Sequence, residues 1–320
     1  GYKAFCFPQG GYQGTRDVLN AGIGLTDASV RRISGSLQRA RAGLAVHSQG
    51  RPRSMNPSVL AIAGALAFAL NNLFARLGIE DSNPQTAITI NVTLNFTGLW
   101  IIALFTSPIR PFLSLDLWPF VLAGIFAPLL ARTLLFHGYQ RLGLARSDVI
   151  AASIPLFAVT LAVVLLGERP TTWDILGTVA IVLGVALLSY KPERKMTWTR
   201  WSILFPLGSA LFFALRDISV KFGLGLIPVP VTGAAVAATT AAVVLYFPYL
   251  QPRSRKNFIL TKRSLILFCF AGIFATLAYA SIFFALGAST VTKVTPLISV
   301  FPLFSVCFSF LFIQSKEHVT

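Results

Sequence analysis

The chain is short of charge, above all of negative charge. Only 12% of its 320 residues are charged, and Asp plus Glu total 11. A soluble domain of this length carries about 25% charged residues. Hydrophobic residues make 55% of the chain, and the mean hydropathy is +0.71. Such a chain cannot cover a core with polar surface, so the solvent it suits is lipid. Cysteine and histidine are also scarce, at three each. Cys6, Cys269 and Cys307 have no CxxC spacing, and His47, His137 and His318 are scattered. This excludes a disulfide framework and a zinc cluster. No cofactor motif is present: there is no HExxH and no Gly-rich phosphate loop.

The few charges separate long apolar runs. No Asp, Glu, Lys or Arg occurs in 57–75, 82–109, 117–131, 149–167, 175–190, 201–215, 222–252, 264–292 or 294–315. A membrane-spanning helix needs about 20 apolar residues. These runs predict nine spans, near 57–79, 84–107, 117–139, 145–167, 172–190, 199–223, 228–250, 263–286 and 289–314. The net charge of +16 would suggest nucleic acid in a soluble protein. Here the basic residues sit in the N-terminal tail and the short loops, where they meet anionic lipid and orient the chain. The expected partners are the bilayer and a small solute. Nucleic acid is excluded, and the oligomeric state is open.

The apolar runs repeat. Ala65-Leu66-Ala67-Phe68-Ala69-Leu70 returns as Ala210-Leu211-Phe212-Phe213-Ala214-Leu215. Ala123-Gly124-Ile125-Phe126-Ala127 returns unchanged as Ala271-Gly272-Ile273-Phe274-Ala275. Pro155-Leu156-Phe157 returns as Pro302-Leu303-Phe304. The offsets are 145, 148 and 147 residues. Duplicated apolar helices mark secondary transporters, whose site lies between the halves. The first repeat spans 57–195 and the second 196–320. At the same offset, a fifth helix of the second half would fall at 319–337. The expected architecture is therefore an all-α membrane protein of two inverted five-helix repeats, with nine of ten spans present and the last truncated.

Residues 1–56 form a basic segment with many Gly and Ser, expected to be disordered. It reads as upstream sequence before a start at Met55, as an organellar transit peptide, or as a cytosolic tail. The corresponding locations are a bacterial or archaeal inner membrane, or an organellar membrane if the segment is a transit peptide. Loop charges and tail charges give opposite orientations. The odd-numbered loops and the C-terminal end carry 13 Lys and Arg against four in the even-numbered loops, which puts the N-terminus outside. The eight basic residues of the tail argue for inside.

The stretch from Gly138 to Phe157 contains Arg141, Arg146, Ser147 and Pro155 and is followed by Gly167-Glu168-Arg169-Pro170. It resembles the fourth-helix signature of EamA-type members of the drug/metabolite transporter superfamily. Ala285 to Glu317 resembles the same signature in the second half, and Ile175 to Leu188 resembles the family's fifth helix. The resemblance covers 57–320. It implies ten helices in two inverted repeats around a polar cavity, cytosolic termini, and movement of small metabolites by alternating access. It does not fix the solute.

Polar groups inside an apolar span are costly, which makes them functional candidates. Asn71 and Asn72 near the end of the first helix correspond to Arg216 and Asp217 in the sixth. On a functional reading, Asn72, Arg216 and Asp217 line a cavity between the halves. On a structural reading, Asp217 pairs with Lys221 at i,i+4 and the Asn residues bond neighbouring helices. Arg76 and Lys221 also correspond, and both suit snorkelling to the interface. Arg132 in the third helix has no charged counterpart, since Tyr279 or Ala280 falls there. An Arg in one half only suits a carboxylate or phosphate, or else a lipid headgroup. Asn91 and Asn95 share a face of the second helix. Pro155 and Pro302 sit at matched points of the fourth and ninth helices, as gating bends or static kinks. Glu168 and Glu317 follow those helices, where capping suits them better than transport.

The candidate solute-binding set is Asn72, Asn91, Asn95, Arg132, Arg216, Asp217 and Tyr279. The first helix has no carboxylate, which disfavours the Glu-based proton antiport that small multidrug exporters of the superfamily use. A secondary transporter for an amino acid, sugar, or anionic or zwitterionic solute is the leading reading. An intramembrane enzyme would need a nucleophile–base set that the spans lack. A channel or lipid-handling protein of similar shape is the other alternative.

Overall fold

The computed structural model describes residues 56–107, 110–142, 144–189, 200–247 and 258–312. Apart from Asn56, the basic N-terminal segment lies outside the described residues, as does Glu317. Among the described residues there are nine helical spans and no strand. In chain order they are α1 (Pro57–Ile79), α2 (Pro84–Thr106), α3 (118–142), α4 (144–166), α5 (Thr172–Ser189), α6 (Leu204–Leu226), α7 (Pro230–Tyr246), α8 (Lys262–Ala288) and α9 (291–312). Five of them hold a stretch long and apolar enough to cross a bilayer, namely α1, α2, the latter part of α4, α6 and α8.

The helix starts are written in the sequence. Asn56-Pro57 and Asn83-Pro84 are the same device used twice. Each Asn side chain accepts from a backbone N–H of the first turn, Ser58 at 3.0 Å and Thr86 at 2.8 Å. Each Pro takes the position where an N–H would have no helical partner. At α8, Thr261 and Ser264 form a reciprocal capping box. Gly167 ends α4 in the left-handed conformation (φ 71°), which a residue without Cβ adopts freely.

Three spans are interrupted. In α3 the segments Trp118–Ile125 and Arg132–Leu142 are joined by a π-helical stretch, Phe126–Ala131. Pro128 lies inside that stretch and has no N–H to give the Gly124 carbonyl, so the turn widens there. In α4 and α9 the chain leaves helical form for two residues, 152–153 and 299–300. Pro155 and Pro302 each follow as the second residue of the next segment, Ile154–Leu161 and Phe301–Phe312. The sequence suggested bends at prolines within continuous helices. The structure has breaks just before them: neither proline has an N–H for the carbonyl four residues back, and each sits in the first turn of a new segment.

The halves pack reciprocally. α1 packs on α8 and α9, and α6 packs on α3 and α4. α2 packs on α8, and α7 packs on α3. α2 and α7 pack on each other. Each cross-contact returns with the halves exchanged, which is the mark of a two-fold relation. Individual residues repeat it. Phe120 of α3 is fully buried and fills the space over Gly223 of α6, where a Cβ would come within 2.7 Å of its ring. Phe268 of α8 is equally buried and fills the space over Gly78 of α1. Five spans separate the start of α1 from the start of α6. The number is odd, so α6 enters from the opposite membrane face and the axis lies in the membrane plane.

The buried core mixes alanines, among them Ala61, Ala123, Ala158, Ala214, Ala235 and Ala285, with larger side chains such as Leu99, Phe120, Phe283 and Leu286. Helices without a hydrophobic drive between them associate through such close packing. Other large apolar side chains point outward, including Leu104, Val164, Leu187 and Ile273, as suits contact with acyl chains. Trp118, Trp173 and Trp201 are exposed near the starts of α3, α5 and α6, where an aromatic ring meets headgroups.

Candidate functional site

The charged pair on α6 lies deep in the protein. Asp217 is 1% exposed, and its Oδ1 lies 2.8 Å from Nε of Arg216, whose side chain is 14% exposed. The Nε–H does not point at that oxygen, so the contact is an ion pair without hydrogen-bond alignment. Thr295 of α9 donates its hydroxyl to Asp217 Oδ2 at 3.0 Å. One turn on, Ser299 donates to the Thr295 carbonyl at 2.9 Å, at the break in α9. The cluster therefore joins α6 to the segment Val291–Ile298 just before that segment ends. In α4, Ser153 returns its hydroxyl to the Ile150 carbonyl at 2.7 Å, again at the break. In both halves a serine at the break gives both its backbone N–H and its hydroxyl to one carbonyl of the preceding turn, Ile150 in α4 and Thr295 in α9.

The electrostatics of the pair are unequal in access. The Asp217 carboxylate, at 1% exposure, is closed to solute, whereas the Arg216 side chain keeps 14% of its surface, its Nε being buried. Arg carries its charge over a planar fork that can hold one carboxylate and present further N–H groups to another anion.

The remaining candidates lie apart from this cluster or reach it only by sequence correspondence. Asn72 is exposed on α1. Its neighbour Asn71 is the buried one, and its Nδ2 donates to the Ala271 carbonyl of α8 at 2.8 Å. Asn95 is buried in α2 with its Oδ1 unbonded among the described residues, and Asn91 is half-buried. Tyr279 is partly buried and packs against the core between the halves. Arg132 opens the segment that follows the π-helical stretch, and its side chain lies outside the described residues. Arg76 is exposed on the last turn of α1.

Lys221 differs from its counterpart Arg76. It is 7% exposed, and its ammonium donates to the Leu286 and Ser289 carbonyls at 2.8 and 2.6 Å. It is held inside the protein at the end of α8, so it does not snorkel as the sequence suggested. Glu168 does cap a helix. Its two carboxylate oxygens accept from the backbone N–H groups of Val291 and Thr292, at 2.8 and 3.0 Å.

Sequence reasoning missed Thr295 and the partners of Lys221 and Glu168. A threonine in an apolar span is common, and nothing local marks it as a carboxylate donor. A lateral cavity of about 380 Å³ opens between α2 and α7, lined by Phe96, Thr239, Ala242, Val243, Tyr246 and Phe247. It contains no charge, and its Thr239 already accepts from the Trp100 indole at 2.8 Å. Among the described residues no group of His, Cys, Asp and Glu has the makings of a metal site.

Comparison with known proteins gives the same picture twice over. A sequence model of the EamA-like transporter family matches residues 56–190 and again 200–319. A solved structure titled only as the crystal structure of a protein superposes with a TM-score of 0.65 at 14% identity, covering 80% of this chain and 87% of that one. At that identity the likeness shows the fold. No curated protein matches the chain.

Proposed function

Because the chain belongs to the EamA-like transporter family, we propose that it moves a small anionic or zwitterionic solute across the membrane by alternating access between its two repeats. Membership itself establishes a multi-pass membrane transporter of small solutes. The nature of the solute and the route are our reading.

The observation that carries it is the cluster of Arg216, Asp217 and Thr295. An ion pair buried in an apolar helix costs several kcal/mol of desolvation per ion and needs compensation. It joins α6 to the broken helix α9, and discontinuous helices at the repeat interface are where such carriers bind solutes. Of the two side chains that of Arg216 is the more exposed. On this reading Arg216 meets the solute's anionic group, and Asp217 holds the guanidinium in place. Arg132 supplies a second cation from α3, and Asn72, Asn91, Asn95 and Tyr279 supply neutral contacts. The breaks before Pro155 and Pro302 are the points at which α4 and α9 flex. Interruptions at matched places in both halves suit motion that exchanges the roles of the repeats.

The test is uptake into proteoliposomes from a panel of labelled amino acids, sugars and sugar phosphates. An anionic or zwitterionic member should enter saturably and show counterflow. Arg132→Ala and Arg216→Ala should each abolish that uptake while the protein still inserts. Near-normal initial rates in both variants would remove the site. Uptake that never saturates would favour a channel.

A further inference from the structure

The corner between α8 and α9 is gripped from two directions. Lys221 of α6 places a positive charge on the last carbonyls of α8. Glu168, which follows α4, places a negative charge on the first two N–H groups of α9. Each charge opposes the partial charge of the helix end it touches, the arrangement a helix dipole favours. The two residues come from different halves of the chain. The corner opens the segment Val291–Ile298, which is bonded at Thr295 to Asp217 and ends at the break 299–300. That segment is short, capped at its start, bounded by the break at its end, and tied to the charged cluster between.

The repeat relation gives this corner a counterpart on the opposite face. At the offset of 145 that relates α1 to α6, Lys221 corresponds to Arg76. At the offset of 147 that relates α4 to α9, Ser289 corresponds to Leu142, the last residue of α3. The twin of the Lys221 grip would be Arg76 on the terminal carbonyls of α3. It is not made: Arg76 is exposed. One face has its corner gripped, and the matching cation on the other face stands outward. Two inverted repeats that take different conformations define two states of one carrier, related by exchanging what each repeat does.

We propose that Lys221 and Arg76 are alternating clamps of the transport cycle, with Glu168 as the latch of the first. In the state described, Lys221 and Glu168 hold the α8–α9 corner and close that face. In the opposite state they release it, and Arg76 turns in to cap the end of α3. This rests on the alternating-access reading above. It makes Arg76 and Lys221 positioning residues that set which face is open, with no contact to solute.

The experiment reads accessibility and needs no solute. In full-length protein with Cys6, Cys269 and Cys307 replaced by Ser, Thr290→Cys places one thiol at the α8–α9 corner. Proteoliposomes are exposed to a membrane-impermeant maleimide, and the initial labelling rate is normalised to the total after denaturation. Lys221→Gln and Glu168→Gln should each raise the rate about fivefold or more, the size of an ordinary coupling between sites. Lys221→Arg should keep it near the parent value. Arg76→Gln should lower it by a similar factor, because the state that exposes the corner loses its clamp.

A side chain that merely reaches headgroups cannot change labelling on the opposite face. A rate unchanged by Arg76→Gln therefore overturns the proposal, and so does a rate unchanged by Glu168→Gln. If Lys221→Gln fails to fold, those two variants decide. Saturable uptake with a flat labelling pattern would remove the clamps and leave the transporter standing. The expected labelling pattern without uptake of any anion or zwitterion would remove the solute assignment and leave the clamps.

Discussion

The two halves of this protein share a frame and differ in chemistry. Where α1 carries Asn71 and Asn72, α6 carries Arg216 and Asp217. Asn71 makes one hydrogen bond to a backbone carbonyl, and the α6 pair makes an ion pair plus a bond from Thr295. Where α3 has Pro128, α8 has Thr276. Thr276 returns its hydroxyl to the Gly272 carbonyl at 3.0 Å, and α8 runs unbroken through Lys262–Ala288. Pro128 has nothing to return to Gly124, and α3 opens into a π-helical stretch directly before Arg132. The residues that the halves share are small or apolar and make the packing. The residues in which they differ, at these positions, are polar or helix-breaking. A duplicated carrier can keep its moving parts symmetric and still bind a solute that has no two-fold symmetry of its own.

The largest test of that contrast is to remove one member from each half. Arg216→Ala leaves the Asp217 carboxylate buried without its counter-charge, and losing one partner of a buried pair costs about 3–5 kcal/mol. Asn71→Ala loses a single neutral hydrogen bond and leaves the Ala271 carbonyl within its own helix, a cost of about 1 kcal/mol. Thermal unfolding in detergent should rank the two variants in that order. Equal losses would mean that the α6 pair is no more committed to the fold than its neutral counterpart.

Exchanging residues between the halves tests the second difference. Pro128→Thr installs in α3 the residue that α8 carries. An added N–H at 128 can bond the Gly124 carbonyl, so the π-helical stretch should tighten to α-helix. Each residue of an α-helix turns by about 100°, so losing the extra residue of a π-bulge rotates everything beyond it, Arg132 included. Transport should fall sharply while the melting temperature holds or rises. Unchanged uptake would show that the register set by the π stretch has no bearing on the site.

The shared frame is predicted to respond more mildly, with its own asymmetry. A Cβ on Gly124 would stand 2.5 Å from the Ala237 carbonyl oxygen of α7, and one on Gly272 would stand 2.5 Å from Leu94 Cβ of α2. Both atoms are fixed to their backbones, so a helix must move in either case; at Gly124 the added methyl meets two residues of α7, Ala237 and Thr240, whereas at Gly272 it meets Leu94 alone, whose outer carbons can turn aside. Overpacking costs about 1–3 kcal/mol. Gly124→Ala should fall at the upper end and Gly272→Ala at the lower, measured by the same unfolding assay. The reverse order would mean that the α2–α8 seam is the tighter one.

The frame was legible in the sequence because its signals are long and repeated. Nine uncharged runs gave nine spans, and the offsets of 145 to 148 residues gave the pairing of helices. The Asn-Pro pairs mark the starts of α1 and α2 without any tertiary help. The site was less legible, because its contacts are between distant elements. Arg216 and Asp217 stood out as charges inside a span. Thr295, 78 residues from Asp217, did not, and only packing brings it near. Glu168 looked like a cap with no helix named, since the helix it caps begins 123 residues later. Lys221 read as a snorkelling residue because sequence shows its distance from a helix end and hides whose carbonyls lie there. Prolines in α4 and α9 announced an irregularity, yet a proline alone does not tell whether the chain bends through it or breaks before it.

The smallest predicted effect concerns glycines that nothing meets. Glycines in α1, α2, α3, α6, α7 and α8 face another element closely, as Gly78 faces Phe268 and Gly98 faces Thr276. Gly177 and Gly184 of α5 have open space where a Cβ would stand, and both are exposed. Seven residues apart, they share one face of the helix. If glycine serves close packing within this protein, these two positions are free of that constraint. An alanine there adds no clash and favours the helix, by at most about 1 kcal/mol on scales measured in water. Gly177→Ala and Gly184→Ala should therefore leave the melting temperature of the detergent-purified protein, and uptake after its reconstitution into proteoliposomes, at or slightly above the parent values, in contrast to Gly124→Ala. A loss as large as that of Gly124→Ala would mean that α5 meets a helix at this face after all, and that the packing frame of the protein extends beyond the spans described.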